Sequence, residues 1–255
     1  MWKASPRLTA AARRLLDVVL PPTSLDGDAR ALSGGLSAGG WSKIVFIADP
    51  ACDGCGAPFE HDQTLPGVEA ARCAACLAKP RAFARARAAC LYDDASRDLI
   101  LQFKRADRTD LSRLFARWLA RAAAPMIEAC DAVAPVPLHP SRLLSRRYNQ
   151  AAELARPLAS LSGLAYLPDT LTRKKATDSQ GGKSGSGRRR NVAGAFEVPP
   201  ARAKAVAGKR ILLVDDVLTT GATAEGCARA LLAAGATQVN LVVVARVKEA
   251  SSGAI

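Results

Sequence analysis

The sequence predicts an α/β domain with a doubly wound, mainly parallel sheet, and a small cysteine-rich segment ahead of it. Two continuous apolar runs, Ile211 to Val214 and Val239 to Ala245, are typical of strands buried on both faces of a parallel sheet. The stretch between them, Thr223 to Ala234, has the pattern of a helix that ends at Gly235. This strand–helix–strand order is what indicates the α/β class.

Size and composition agree with a folded domain. The chain has 255 residues, of which 49% are apolar and 23% charged, and its formal net charge is +13. These values exclude a disordered tail, a collagen-like fibre and a small disulfide scaffold. The length allows one large domain, or one of roughly 150–180 residues with a small appendage, and we expect residues 85–250 to form the main domain.

The chain begins with a predicted amphipathic helix, within 1–22, and a linker, 23–40, which is rich in Gly, Ser and Ala. The apolar stretch Leu15 to Leu20 is short and contains Asp17, unlike the core of a signal peptide. No window holds the roughly 18 uninterrupted apolar residues that a membrane span needs. We therefore expect a cytoplasmic protein without a membrane span, whose thiols stay reduced.

Cysteine spacing dominates the next segment, 41–80. It contains two Cys-x2-Cys pairs separated by 17 residues, and four thiolates satisfy the tetrahedral coordination of zinc. A complete set of four sulfur ligands leaves no open position, so the spacing predicts a structural zinc ion in a zinc-ribbon-like segment. The alternatives are unrelated thiols, two disulfides, or His61 in place of one ligand. The four predicted ligands are Cys52, Cys55, Cys73 and Cys76.

From about residue 85 the sequence alternates between strand and helix patterns. Ala88 to Tyr92 and Ala132 to Val136 are predicted strands, and apolar residues from Leu111 to Leu119 recur at helical spacing. A loop, Pro137 to Arg147, precedes another predicted helix with Leu154 and its neighbours on one face. The cysteines outside the two pairs lie in apolar settings and are expected in the core: Cys90, Cys130 and Cys227.

Positive charge is concentrated in two windows. Residues 79–147 contain 14 Lys or Arg and 7 Asp or Glu, and residues 173–190 contain 7 and 1. The second window places a Gly- and Ser-rich stretch between two basic triplets, which predicts a mobile cationic loop. Such charge favours an anionic partner, namely nucleic acid, a polyphosphate or an anionic membrane, although a solvated helix face also explains the first window.

The most specific stretch of the sequence runs from Ile211 to Thr223. Its strand places Asp215 and Asp216 at the carboxyl edge, where ligands bind in open α/β sheets. The hydroxyl-rich turn Thr219 to Thr223 then leads into a helix, and its backbone N–H groups suit one phosphate. The carboxylates suit sugar hydroxyls or a metal ion, so the two parts together describe a ribose 5-phosphate. The Gly-Lys-Ser/Thr signature of a P-loop is missing from this turn.

Val214 to Thr223 resembles the phosphoribosyl pyrophosphate (PRPP) signature of type I phosphoribosyltransferases. Several other motifs precede this signature in a particular order. Because of that order, the chain from Cys52 to Val247 resembles the ComF family of competence-related proteins. That family combines a zinc ribbon with a type I phosphoribosyltransferase-like domain. The motifs are the two cysteine pairs, Pro135-Val-Pro-Leu-His-Pro140, Arg147-Tyr-Asn149-Gln150, and Arg190-Asn191 with Ala195-Phe196.

The resemblance implies a role for each motif. Asp215 and Asp216 would hold the ribose hydroxyls, and we name them as the candidate catalytic residues. The loop after Val136 would hold pyrophosphate together with Mg²⁺, with His139 either in the site or an ordinary loop histidine. Lys174 to Arg190 corresponds to the hood that closes over the site. The other candidate contacts to PRPP are Val214, Thr219, Thr220, Gly221, Ala222, Thr223, Pro137, Leu138, Arg142 and Arg190.

Three functions remain open at this point. In the first, the protein transfers ribose 5-phosphate from PRPP to a nitrogen acceptor. In the second, it handles single-stranded DNA during natural transformation, with the fold as a basic scaffold. In the third, it senses PRPP without turnover. A basic hood serves a polyphosphate and a DNA strand equally well. Sequence favours a PRPP-binding protein of the competence family and gives no acceptor base or oligomeric state.

Overall fold

The computed structural model describes residues 24–26, 35–59, 71–105, 108, 110–139, 143, 148–174 and 194–248. Its chain divides into two compact units, 1–44 and 45–255. Several predicted features lie outside the described residues. They are the N-terminal helix within 1–22, His61, Arg142, Arg190 and all of the hood except Lys174.

In the first unit a short helix, α1 (Ala38–Lys43), begins inside the segment that composition predicts to be a linker. Ser37 starts it, because its hydroxyl accepts the Gly40 N–H at 2.9 Å and donates to Asp26 at 2.6 Å. Burial raises the pKa of Asp26, but hydrogen bonds from Ser24 and Ser37 outweigh it and lower that pKa to about 2. Some of the Gly and Ser residues of 23–40 thus belong to a capped helix. Composition alone does not distinguish such a helix from a linker.

The second unit is built on a five-stranded sheet with the order β1-β7-β6-β2-β3. Every neighbouring pair in it is parallel. Two further strands, β4 and β5, form a separate antiparallel pair. The strands are β1 (Arg85–Leu91), β2 (Ala132–Pro135), β3 (Ala165–Tyr166), β4 (Thr172–Arg173), β5 (Phe196–Glu197), β6 (Arg210–Leu218) and β7 (Gln238–Arg246).

Helices cover both faces of the sheet, which is the predicted doubly wound arrangement. Ile211 and Leu213 of β6 share a buried core with Cys227 and Leu231 of helix α7. The alternate residues of β6 face the other way and are also buried, on the side where α4 and α5 pack against each other and against the strands. The helices of this unit are α2 (Ala74–Ala78), α3 (Asp94–Phe103), α4 (Leu111–Ile127), α5 (Gln150–Ser162), α6 (Pro200–Val206) and α7 (Ala222–Ala233).

The main differences from the sequence prediction concern boundaries and short elements. Strand β6 continues to Leu218, so Asp215 and Asp216 lie within its last residues rather than after it. Helix α3 was not predicted, although Asp93 and Ser96 form a reciprocal capping box at its start. The cysteines predicted to be in the core, Cys90, Cys130 and Cys227, are all buried, which confirms that prediction. Within the described residues, no helix is long and apolar enough to cross a membrane.

The antiparallel pair β4–β5 brings together the two ends of the segment that contains most of the predicted hood. Arg173 pairs with Phe196, and the Lys174 N–H donates to the Ala195 carbonyl at 2.9 Å. Residues 174 and 195, the two ends of that segment, therefore lie side by side.

Candidate functional site

The predicted site lies at the carboxyl edge of β2 and β6, which are neighbours in the sheet. Pro135 pairs with Val214, and the Val136 N–H donates to the Val214 carbonyl at 2.9 Å. Parallel strands place their carboxyl ends at one edge, so the loop after β2 and the turn after β6 emerge next to each other. The structure therefore puts two groups of predicted residues at that edge: Pro137, Leu138 and His139 after β2, and Val214, Asp215, Asp216, Thr219, Thr220, Gly221, Ala222 and Thr223 along β6 and the start of α7.

The two aspartates sit in different surroundings although they are adjacent. Asp215 Oδ1 accepts the Asp216 N–H at 2.9 Å, and Asp216 Oδ1 accepts the Val217 N–H at 2.6 Å. Burial, followed by the negative charge of Asp216, raises the pKa of Asp215 to about 8. Asp215 is therefore the more readily protonated of the two, whereas the side chain of Asp216 is 18% exposed and is paired with a cation.

That cation is Lys104, a site residue that sequence reasoning missed. Its Nζ lies 2.9 Å from Asp216 Oδ2, and it is the residue that follows helix α3. The Tyr148 hydroxyl holds this helix end, since it contacts the Phe103 carbonyl and donates to the Arg105 carbonyl at 2.8 Å. Tyr148 belongs to the Arg-Tyr-Asn motif, so this motif contains the residue that holds the helix end next to Lys104.

Arg173, the first residue of the basic window 173–190, is a second cation close to the aspartates. Its guanidinium lies over the Phe196 ring, 5.3 Å from the centroid, at the base of the predicted hood. The positive charges of Lys104 and Arg173 lower the pKa of Asp215, although burial and Asp216 raise it by more. Both cations therefore act on the carboxylate pair from elements that lie far from it in sequence.

The turn after β6 has the geometry of an anion-binding helix start. Gly221 adopts a left-handed conformation, with φ of 79°, and α7 begins at the next residue. The first N–H groups of a helix have no partner within it, and the helix dipole favours negative charge there. Arg81 supports the turn from outside, with Nη1 donating to the Thr220 carbonyl and to Glu225 Oε1, each at 2.9 Å. Arg81 was also missed, because nothing in its own sequence context points to the turn.

The loop after β2 is anchored by Asn149 of the same Arg-Tyr-Asn motif. Its Nδ2 donates to the Val136 carbonyl at 3.0 Å, and its Oδ1 accepts the Ala151 N–H at 3.1 Å at the start of α5. Asn149 thus caps a helix and fixes the end of a strand at once. His139 is partly exposed in this loop.

The four predicted metal ligands come together in one cluster. The sulfur atoms of Cys52, Cys55, Cys73 and Cys76 all lie within 4.8 Å of one another. Sulfurs around a tetrahedral zinc at about 2.3 Å would be about 3.8 Å apart. The separation between the sulfurs of Cys55 and Cys73 is 3.8 Å, so the donor set and its spacing fit Zn²⁺.

Backbone hydrogen bonds shape the cluster, and its thiols influence one another. The Gly56 N–H donates to the Cys52 carbonyl at 2.7 Å, and the Cys73 N–H points at the Cys52 sulfur at 3.2 Å. The hydrogen bond from Cys55 lowers the pKa of Cys52 to about 4 and raises that of Cys55, while burial raises the pKa of Cys76 to about 11. Four thiolates this close need a cation to ionise together, which is what a bound Zn²⁺ supplies.

The cluster is joined to the sheet by buried polar contacts. Asp53, inside the first Cys-x2-Cys pair, forms ion pairs with Arg87 and Arg85 of β1. At the end of β7, Arg246 Nη1 donates to the Cys55 carbonyl at 2.6 Å. The cysteine segment is therefore packed against β1 and β7, which are neighbouring strands of the sheet.

Comparisons with known proteins agree with this architecture. The phosphoribosyl transferase domain family matches residues 150–252. The "DNA utilization protein YhgH" of Salmonella typhimurium is 33% identical over 202 residues, which are 76% of this chain and 83% of that protein. The "Competence protein F" of Haemophilus influenzae is 28% identical over 225 residues, 86% of this chain and 94% of that protein.

Among solved structures, the glutamine PRPP amidotransferase from B. subtilis, complexed with ADP and GMP, is 22% identical with a TM-score of 0.38. The match covers 54% of this chain and 27% of that one. The order and parallel pairing of the strands, together with the matched domain, identify the fold as that of a type I phosphoribosyltransferase. The cysteine cluster fits the zinc ribbon expected ahead of it.

Proposed function

Because the chain belongs to the ComF family of competence-related proteins, we propose that it binds PRPP with Mg²⁺ and transfers ribose 5-phosphate to a nitrogen acceptor. The observation that carries this proposal is the pairing of Asp215 and Asp216 with a helix-start turn at one edge of the sheet. Carboxylates accept hydrogen bonds from a sugar diol, and the turn N–H groups bind a phosphate.

The chain's own residues suit the steps of such a transfer. In the proposed reaction the acceptor nitrogen attacks C1 of the ribose, the bond from C1 to the pyrophosphate oxygen breaks, and pyrophosphate leaves with the electron pair. The acceptor's surplus proton passes to water or to the released pyrophosphate. Asp215 and Asp216 orient the ribose, and Lys104 holds the Asp216 carboxylate in place through its ion pair. Mg²⁺, when bound with PRPP, would offset the charge of the pyrophosphate.

The test is calorimetric titration of the zinc-loaded protein with PRPP and Mg²⁺, repeated on the variant Asp215→Asn/Asp216→Asn. We expect the variant to lose at least ten-fold in affinity, because an amide is a weaker acceptor and carries no charge. Asp131→Asn is the matched control, since Asp131 precedes β2 at the opposite edge of the sheet and binds Arg210. Wild-type affinity in the double variant would contradict the site.

Zinc and cellular location are part of the same proposal. We propose that Cys52, Cys55, Cys73 and Cys76 hold one structural Zn²⁺, because their sulfurs fit its coordination. All seven cysteines of the chain are free of disulfides. Thiolate ligands and free thiols persist in a reducing compartment, so we place the protein in the cytoplasm.

A second candidate function, binding of single-stranded DNA, is favoured by a row of arginines on α4. Arg113, Arg117 and Arg121 are exposed and recur every four residues, a rise of about 6 Å each. Two of them line a groove of about 700 Å³ between α4 and α5, with Arg156 on its other wall. A regular row of guanidinium groups suits a phosphate backbone, and the curated relatives are named for DNA utilization and competence.

This candidate is tested with a labelled oligothymidine strand in fluorescence anisotropy across a salt series. We expect the triple variant Arg113→Gln/Arg117→Gln/Arg121→Gln to bind at least ten-fold more weakly and with a shallower salt dependence. The control neutralises three exposed arginines elsewhere, at Arg97, Arg202 and Arg229. Equal losses in both variants would show that the net charge, and not the α4 row, binds the strand.

A further inference from the structure

Arg81 joins the cysteine segment to the turn that precedes α7. It lies five residues after Cys76, the last cysteine of the metal cluster. Its side chain is 16% exposed and donates to the turn that precedes α7, at the Thr220 carbonyl and the Glu225 carboxylate. One guanidinium therefore links the cysteine segment to the proposed phosphate-binding turn.

The bond to the Thr220 carbonyl fixes the direction of a peptide group. In a planar trans peptide the carbonyl and the following N–H point in opposite directions. Since the Thr220 carbonyl is held toward Arg81 at 2.9 Å, the Gly221 N–H points away from Arg81. A Cβ at Gly221 would lie 3.1 Å from Arg81 Nη1, which shows how closely the guanidinium approaches the turn.

The hydrogen bond to Glu225 offsets an unfavourable negative charge beside the same turn. Glu225 lies in the first turn of α7, its side chain is only 7% exposed, and an ionised carboxylate there repels an incoming phosphate. Arg229 also pairs with Glu225, but it is largely exposed and its effect is screened by solvent. Arg81 is consequently the less exposed partner and offsets more of the charge of Glu225.

Arg81 is also joined to the metal cluster through the chain, since it follows Cys76 by five residues. The short helix α2 runs from the residue after Cys73 to two residues past Cys76, so ligation of both sulfurs fixes the backbone that leads to Arg81.

We propose that Arg81 is a positioning residue that couples zinc binding at the cysteine cluster to PRPP binding at the turn. With zinc bound, Arg81 is held against Thr220 and Glu225, and the turn is ready for the 5′-phosphate. Without zinc the backbone before Arg81 loosens, the Gly221 N–H loses its fixed direction, and PRPP binds more weakly. This inference rests on the proposed binding of PRPP. Coupling between two sites is reciprocal, so PRPP must also tighten the binding of zinc.

The experiment measures both directions of the coupling in the full-length protein. Calorimetric titration with PRPP and Mg²⁺ compares zinc-loaded and zinc-depleted forms of the wild type, Arg81→Lys and Arg81→Ala. We expect zinc depletion to weaken PRPP binding ten-fold or more in the wild type and less than two-fold in Arg81→Ala. Arg81→Lys keeps the charge but not the paired donors, so it should fall between them.

The second readout is the rate of zinc release to a chromogenic chelator, with and without PRPP. PRPP should slow release several-fold in the wild type and leave Arg81→Ala unaffected. The control is Arg72→Ala, since Arg72 lies in the same segment but donates to the Ala84 carbonyl instead of the turn. Thermal unfolding of each variant verifies that it is folded.

The outcomes separate this inference from the proposed function. Absence of PRPP binding in the zinc-loaded wild type would contradict both. If the wild type binds PRPP and Arg81→Ala binds equally well, or if both lose the same affinity on zinc depletion, the coupling through Arg81 is wrong while the proposed function stands. Arg81→Ala and Arg72→Ala behaving alike would likewise overturn it.

Discussion

The carboxyl group of Asp215 is held where its ionised form is disfavoured. Burial and the adjacent Asp216 raise its pKa to about 8, from the usual 3.8. Between these two values the folded state retains a proton that the unfolded state has released. The contribution of Asp215 to the free energy of unfolding must therefore fall as the pH rises through this window, and that contribution is constant on either side of it.

This direction of the pH dependence yields a prediction for the stability of the variant Asp215→Asn. An amide has no charge to lose, so we expect the variant to be more stable than the wild type at pH 8, by about 1–3 kcal/mol, with the gap closing toward pH 4. Urea unfolding of both proteins at pH 5 and pH 8 measures it. Asp131→Asn should instead be less stable than the wild type by the same amount at both pH values, since hydrogen bonds from Arg210 lower the pKa of Asp131 to about 2 and its ionised form is stabilised throughout this range. A pH-independent difference between Asp215→Asn and wild type would contradict the assigned protonation.

The raised pKa of Asp215 also predicts that PRPP binding is coupled to the release of a proton. A carboxylate that accepts hydrogen bonds from ribose hydroxyls is favoured in its ionised form, so PRPP binding should release a proton from Asp215 below about pH 8. Titrations at pH 7 in two buffers of different ionisation enthalpy would report this release. We expect it to disappear in Asp215→Asn, and an equal release from both proteins would assign the proton to another group.

Individual residues also show what the sequence could and could not reveal about the site. Asp215, Asp216 and the turn that follows are contiguous, so their chemistry is visible in one line of sequence. Lys104 and Arg81 reach the site from more than a hundred residues away, and only the parallel pairing of the strands brings them there. Long-range proximity of that kind depends on topology and leaves no local pattern.

At the scale of elements, the cysteine segment is attached to β1 by a buried ion pair. Asp53 contacts Arg87, and the two side chains are 8% and 9% exposed. Arg87 also lies 3.6 Å from Asp49, which is 63% exposed. Removing one partner of a buried pair leaves an uncompensated charge, whereas removing an exposed partner costs little.

We therefore expect Asp53→Ala to lower the free energy of unfolding by about 3 kcal/mol. Asp49→Ala, the matched control beside the same arginine, should change it by less than about 1 kcal/mol. Chemical unfolding of the zinc-loaded proteins measures both values. Similar, small effects of the two substitutions would mean that Asp53 does not anchor the segment to β1.

Elements differ in how well sequence predicts them, and length is the reason. Strands β6 and β7 and helix α4 are long enough for an apolar period or run to stand out. Strands β3, β4 and β5 have two residues each and are defined by their partners, so no period can exist within them. Helix α1 is hidden for a related reason, since its glycines and its serine cap match the composition of a linker.

At the scale of the second unit, residues 45–255, the cysteine segment and the sheet belong together. Besides the pairing of Asp53 with Arg87, the buried Arg246 at the end of β7 donates to the Cys55 carbonyl. Gly56 has a φ of 68°, and a Cβ there would lie 3.2–3.3 Å from backbone atoms of β1. These contacts tie the cluster to two neighbouring strands, so the metal stabilises more than its own segment.

Zinc removal should consequently lower the stability of the sheet as well as that of the cysteine segment. We expect chelation to reduce the melting temperature of the whole unit by several degrees, in a single transition, because the buried charges of Arg87 and Arg246 lose their partners when the segment loosens. Hydrogen exchange should rise first in β1 and at the end of β7, and less in β2, which lies two strands away from β7. Two separate transitions on heating, with β1 as protected without zinc as with it, would show instead that the segment and the sheet fold independently.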